Sequence, residues 1–404
     1  MKKIAFVCQR YGLEVNGGAE LLCRQLAERL NRYYDVEVIT TCAVDYVTWD
    51  NEYEPGEEYI NDVLVRRFSV DFSRDVKMFG ALSCIFADKM HSSKQEDEWL
   101  RAQGPVSEGL LQFIKNNYKQ YQAVLFMTYL YYPTAVGILL DIPNKILIPT
   151  AHDEPPVHLR YYRKVFKAPK GIIYQTTEEQ EFVQKKFDNA DIPSVICGAG
   201  VDAPSAEELP SVRERFGIKE EYITYVGRID ESKGCKELFR YFREYKRSHP
   251  GQLKLVLAGK AALEIPKGPD IISLGFISEE EKFALMRDAK CLVLASEFES
   301  LSLVVLESMI MGRPVLVNGK CKVLRGHCIK SNAGLYFENY AEFEGALSYL
   351  LSHPEQYEQM RENGKKYVRE NYDWDIILDK IHGLIESLEP VCKEEEEQEP
   401  EQEF

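Results

Sequence analysis

Short apolar runs alternate with amphipathic stretches from the first residues onward. KKIAFVC has strand character. A glycine-containing loop follows, then a helical pattern from about Ala19 to Arg32 in which Leu22, Leu26, Ala27 and Leu30 recur at helical spacing. VEVIT (36–40), VLVRRF (63–68), AVLFM (123–127), KILIP (145–149) and GIIY (171–174) read as the next strands, with helical patterns between most of them. Such alternation predicts a parallel sheet covered by helices on both faces. Residues 70–110 break the rhythm: MFGALSCIFADKM places glycine in an apolar stretch ahead of a long polar helix. This predicts an insertion at the mouth of the first sheet, a lid or an acceptor-binding element.

VICGAGVDAP (195–204) has two close glycines and ends in proline, which marks a domain boundary. A second series follows. YITYVG (222–227), LKLVLAG (253–259), IISLG (271–275), CLVLA (291–295) and RPVLVN (313–318) read as strands. KELFRYFREYKRS, SEEEKFALMRDA and LSLVVLESMIMG read as helices between them, the second opened by a serine cap. Helices at about 340–352, 354–371 and 373–388 close the pattern. The expected organisation is a first Rossmann-like domain over 1–198 that binds acceptor. A second, over 199–371, binds the donor. A helix at 372–388 packs back toward the first domain, and an acidic tail covers 389–404. Open parallel sheets bind ligands at the carboxyl ends of their strands, so function is sought in the loops there.

Composition narrows the classes. With 45% hydrophobic and 28% charged residues, 404 residues can build two packed cores. No stretch approaches the roughly 18 apolar residues of a membrane span, and the apolar run Ile4–Cys8 is shorter than a secretory signal. The last sixteen residues hold eight glutamates and one lysine, a net −7 of the total −15. The remainder is only mildly acidic, which argues against nucleic-acid binding, and the tail reads as a solvated, self-repelling segment. Ten cysteines include no CxxC pair, a reduced pattern that predicts a cytoplasmic protein. KCKVLRGHC, with His327 between Cys321 and Cys328, offers too few ligands for a metal site.

Four loops carry candidate chemistry. EVNGGAE places Gly17 and Gly18 before the first helix, which suits either a tight turn or a phosphate at a helix N-terminus. PTAHDEPP sets His152, Asp153 and Glu154 after a strand, facing the cleft mouth, with Pro155 and Pro156 stiffening the exit. VGRIDESKG combines Gly227 with Arg228 and Lys233, two cations that suit a diphosphate or else a solvated surface. In SEFESLSLVVLES, Glu299 precedes a helix and Glu307 lies within it, on a face otherwise made of Leu303, Val304, Leu306, Met309 and Ile310. A carboxylate there is costly unless something binds it, and a ribose diol is a suitable partner. The amides of Leu301 and Ser302 would point at a bound phosphate or sugar.

VGRIDESKG, the two glutamates of ESLSLVVLE and the following SMIMGRPVLV resemble the retaining family-4 glycosyltransferases of the GT-B fold. The likeness takes in the GGAE loop, the HD loop, the GAGVD hinge and the closing YDWDIILDKI helix. It implies transfer of a sugar from a nucleoside diphosphate donor to a glycan or lipid-linked acceptor, in surface polysaccharide or glycoconjugate synthesis. By position it gives the ribose to Glu307, the diphosphate to Arg228 and Lys233, and the donor sugar hydroxyls to Glu299. His152 lies near the transferred sugar, and Gly17 and Gly18 near the distal phosphate. Ser300 and Ser302 stand where many members have glycine, and NGKCKVLRGHC lacks the usual glycine pair.

No metal or other cofactor is expected. The single DxD, Asp373-Trp374-Asp375, starts the final helix and reads as its cap. RYYRKVFKAPKG (160–171) mixes basic and aromatic residues, which suits either a solvated helix face or peripheral contact with the inner membrane surface. The competing readings are a nucleotide-sugar epimerase on the same fold, an NAD-linked dehydrogenase without its GxGxxG fingerprint, and an inactive nucleotide-sugar-binding partner.

Overall fold

The computed structural model describes residues 1–15, 17–87, 90–205 and 207–388; the acidic tail, with Cys392, lies outside them. The first sheet comprises β1 (Lys3–Val7), β2 (Asp35–Thr41), β3 (Gly56–Ile60), β4 (Val63–Phe68), β5 (Ala123–Met127), β6 (Lys145–Ile148), β7 (Gly171–Tyr174) and β8 (Ser194–Ile196). Its order is β3-β4-β2-β1-β5-β6-β7-β8, parallel except for β3, which pairs antiparallel with β4 at the edge. The second sheet comprises β9 (Tyr222–Val226), β10 (Lys254–Ala258), β11 (Ile271–Ser273), β12 (Leu292–Leu294), β13 (Val315–Asn318) and β14 (Gly334–Phe337). It is wholly parallel in the order β11-β10-β9-β12-β13-β14.

Both sheets are therefore doubly wound, and this is the expected α/β architecture of two Rossmann-like domains. Strand order reverses between β1 and β5 in the first sheet and between β9 and β12 in the second. At such a reversal the crossover helices leave on opposite faces, which opens a crevice at the carboxyl ends of the two strands. The apolar runs become central strands: Ile4, Ala5, Phe6 and Val7 are all fully buried, as are Leu255, Val256 and Leu257. Glu37 in β2 is a charged residue among them, also fully buried, whose carboxylate is held by Lys3 and Arg66.

Three strands escape the apolar pattern. β3 reads GEEYI and lies exposed along the sheet edge, β8 falls inside the expected boundary segment, and β14 follows a loop. The segment after β4 is also more than an insertion at the mouth. Its helix Ser93–Gln103 buries Trp99 and Leu100 in the same core as Ala5, Val7 and Phe126. The basic segment at 160–171 needs a larger correction. Its helix spans only Tyr161–Val165, and Tyr162 and Phe166 are fully buried in the core, which leaves Tyr161 as the aromatic ring on the cationic side, with Lys164 Nζ 3.9 Å over it.

The last helix, Trp374–Ser387, is capped by Asp373, whose carboxylate accepts from the Asp375 amide. Its Ile377, Leu378, Ile381, Leu384 and Ile385 are buried against the first sheet at β7 and β8. Arg29 lies 4.2 Å over the Trp374 ring and pairs with Asp202, while Lys2 pairs with Glu386. Among the described residues, no helix is long and apolar enough to cross a membrane, and the nine cysteines are free.

Candidate active site

The loops after β9 and β12 form one wall of the cleft. Gly227 follows β9 at φ +143°, a conformation open to glycine and costly to other residues. Arg228 comes next. Its Nε donates to Asp230, its Nη1 to the Tyr46 hydroxyl at 2.8 Å and its Nη2 to Ser232 Oγ at 3.4 Å. Asp230 Oδ1 also accepts from the Lys233 amide at 2.9 Å, so one carboxylate shapes the whole turn. Burial pushes the Asp230 carboxyl up, but Ser232, Lys233 and Arg228 outweigh it and hold it below the usual carboxylate range. Gly234 sits at φ +69° where a Cβ would lie 2.2 Å from the Ala295 carbonyl oxygen, so glycine lets the two loops touch. Across that contact, Lys233 Nζ donates to Glu299 Oε1 at 2.8 Å.

The chain after Glu299 turns through Ser302, which lies in the left-handed region at φ 66° and ψ 73°, and enters the helix Leu303–Ile310. The turn is secured from behind by His327, which is fully buried. Its Nε2 lies 2.8 Å from the Leu301 carbonyl, which can only accept, so Nε2 carries the proton and Nδ1 accepts from the Tyr367 hydroxyl at 3.2 Å. Burial pushes this imidazole down to about 4, consistent with a neutral structural role.

Glu307 lies inside the helix, 8% exposed. Its Oε1 accepts from Lys282 Nζ at 2.7 Å, and Lys282 in turn contacts Glu279 at the same distance. Its Oε2 is buried and has no hydrogen-bond partner among the described residues. Burial pushes the Glu307 carboxyl above its ordinary range, opposed by Lys282. A half-satisfied buried carboxylate costs stability, and a ligand that donates to its free oxygen would recover that cost.

The opposite wall comes from the first domain. His152, after β6, stacks on Phe298 with ring centroids 5.6 Å apart, and its Nε2 lies 3.4 Å from Glu154. Its Nδ1 is buried without a partner among the described residues. Burial lowers the imidazole pKa, but Glu154 and Glu299 outweigh it, so the net shift is upward and favours the cation. Glu154 is fixed by the Tyr129 hydroxyl at 2.7 Å. Asp153 departs from expectation: it is exposed and pairs with His158 at 2.8 Å, away from the stack. Gly17 caps the helix Gly18–Leu30, and a Cβ there would lie 2.1 Å from the carboxylate of Glu20, which Arg10 and Gln9 hold. Gly18 borders open space.

A residue without any sequence signal ties these loops together. Glu179 is 2% exposed and accepts from the amides of Ala151 and Gln175. It thereby fastens the turn before His152 to the end of β7. Thr176, which caps the same helix, donates to the Ser300 carbonyl across the cleft at 3.4 Å. Lys282, His327, Phe298 and Tyr46 were equally illegible, because each acts on a partner distant in sequence.

The arrangement is a crevice between two sheets with two cations, a half-free carboxylate and a helix N-terminus on one wall and a histidine on the other. Residues 210–367 match the family profile of glycosyl transferases group 1. An uncharacterised glycosyltransferase of Methanocaldococcus jannaschii is 24% identical over 93% of this chain and 95% of its own length. The sucrose-phosphate synthase of Thermosynechococcus elongatus superposes with TM-score 0.69 at 15% identity, covering 96% of this chain and 98% of that one. HepE of Anabaena, solved with UDP-glucose, superposes with TM-score 0.68 at 14% identity over 96% of this chain and all of that one. The chain is thus a glycosyltransferase of the GT-B fold. Its second domain carries the group 1 transferase unit, which runs from just before the helix Val212–Phe216 into the helix Pro354–Asn371.

The Glu179 tether gives a pH test. Burial raises its carboxyl from 4.5 to about 8, against the opposing pull of the two amides. A value higher in the folded state means folding favours the protonated form. That contribution is complete below the ordinary carboxylate range and is lost as pH rises toward about 8. Melting temperature measured against pH should therefore fall more steeply across this window in the wild type than in Glu179→Gln. Parallel curves would show that Glu179 titrates normally.

Proposed function

We propose that this cleft transfers a sugar, with retention of anomeric configuration, from a nucleoside diphosphate to a glycan or lipid-linked acceptor in surface polysaccharide or glycoconjugate synthesis. The observation that carries the reading is Glu307, with one oxygen on Lys282 and the other buried and unpartnered among the described residues. Two adjacent ribose hydroxyls supply the donors that oxygen lacks. HepE, solved with UDP and with UDP-glucose on the same fold, supports a donor of this class.

The diphosphate then falls to the loop after β9. Arg228 offers a planar fork, and Lys233, held by Glu299 through one N–H, keeps two of an ammonium's three donors. The amides at Leu301 and Ser302 add the positive end of the helix Leu303–Ile310. Charge grows on the leaving diphosphate as the glycosidic bond breaks, so these groups act most strongly in the transition state. Glu299 lies where donor sugar hydroxyls would reach it, and His152 flanks the transferred sugar from the acceptor side. No carboxylate is assigned as a nucleophile. The proposed course is attack from the leaving-group face, the departing phosphate taking the acceptor proton.

Binding and metal dependence test the reading separately. Glu307→Ala should weaken the affinity for the cognate nucleoside diphosphate, measured by titration calorimetry. Loss of a hydrogen-bonded carboxylate corresponds to about 1.5–3 kcal/mol, or roughly 10- to 150-fold. An unchanged affinity would remove the ribose from Glu307. Transfer should also persist in EDTA, since Arg228 and Lys233 supply the positive charge; abolition by chelation with recovery on adding magnesium or manganese would refute this.

A further inference from the structure

Tyr46 belongs to the first domain, in the loop after β2, and reaches across the cleft to the second. Its hydroxyl accepts from Arg228 Nη1 at 2.8 Å. Its ring lies against two guanidinium groups, that of Arg228 at 5.4 Å and that of Arg10 at 5.5 Å. Arg10 is itself fixed: its side chain is 6% exposed, pairs with Glu20 and donates to the Val44 carbonyl at 2.6 Å.

The loop is built to hold this tyrosine. Asp45 accepts from the amides of Val47 and Thr48, each at 2.8 Å, and Glu52 accepts from the Asp45 amide at 2.8 Å. Arg74 donates to the Tyr46 carbonyl at 3.0 Å. On the other side, Asp230 and Ser232 take two more of the Arg228 donors. A guanidinium has five N–H donors. Tyr46, Asp230 and Ser232 account for three, which leaves two for a phosphate.

We propose that Tyr46 is a positioning residue for the donor diphosphate. It holds Arg228 in the rotamer that presents those two donors, so the acceptor-binding domain completes the diphosphate site of the donor domain. The side chain of Arg228 is 43% exposed and long, and without a second anchor it would sample many rotamers. Asp230 and Ser232 restrain it from within its own loop. Among the described residues, Tyr46 alone restrains it from the opposite domain, so diphosphate binding and apposition of the two domains become one event. The inference rests on the proposed function and adds a dependence that the second domain alone would not have.

The test is a double-mutant cycle on the full chain, read by calorimetric titration with UDP, GDP and ADP and, in parallel, the matching monophosphates. Tyr46→Phe keeps the ring and removes only the hydroxyl, so folding is preserved. For the diphosphate bound best by the wild type, Tyr46→Phe should lose about 3- to 10-fold in affinity, the range of one ordinary hydrogen bond, because the hydroxyl acts through Arg228 and not on the ligand. In an Arg228→Ala background the same change should have no further effect. An equal loss in both backgrounds, or a loss of monophosphate affinity as large as that of the diphosphate, would make Tyr46 a general packing residue and overturn the proposal. So would wild-type diphosphate affinity in Tyr46→Phe. Glu307→Ala, run beside it, separates the two readings: if it weakens binding while Tyr46→Phe does not, the inference fails and the donor site stands.

Discussion

A carboxylate placed on an apolar helix face has to be paired and hydrogen-bonded, and in this protein the pairing engages one oxygen. Lys282 takes one oxygen of Glu307 and leaves the other buried without a partner among the described residues. Burying an ion pair is expensive even when its geometry is good, and replacement by apolar residues is often neutral or stabilising. The pair is therefore poor evidence for stability and better evidence for a site. Its position depends on the parallel sheet, because the helix Leu303–Ile310 starts beside the strand reversal between β9 and β12, where crossovers diverge and leave space.

The same reversal sets the other groups proposed to bind the donor. Arg228 and Lys233 follow β9, and Glu299 follows β12, on the two strands that flank the crevice. Contact between their loops requires a glycine at position 234, and the turn into the helix requires His327 behind it. Contacts of the first domain with this wall include the His152–Phe298 stack, the Thr176–Ser300 hydrogen bond and the Tyr46–Arg228 hydrogen bond. All three lie at carboxyl ends of strands, so the fold alone directs the two sets of loops toward each other.

Much of this was legible in the chain. Apolar runs located the central strands because parallel strands buried on both faces need no polar alternation. The spacing of Arg228, Lys233, Glu299 and Glu307 singled out residues that the fold gathers after β9 and β12. What escaped has a common cause. β3 is polar because it is an exposed edge, and β14 opens on a glycine and exposes Tyr336, so it shows no continuous apolar run. The basic and aromatic residues at 160–171 suggested one amphipathic helix, but Tyr162 and Phe166 turn into the core within a turn and a half. Lys282, Glu179, His327 and Tyr46 act on groups 25 or more residues away, and nothing local distinguishes them from other charged or aromatic residues.

The position of a bound nucleoside diphosphate decides whether Glu307 serves a ribose. A crystal structure of the chain with the diphosphate it binds most tightly should place the ribose hydroxyls within hydrogen-bond distance of Glu307 Oε2, with the phosphates against Arg228 and Lys233. A nucleotide bound elsewhere, with Glu307 Oε2 still unengaged, would contradict that role.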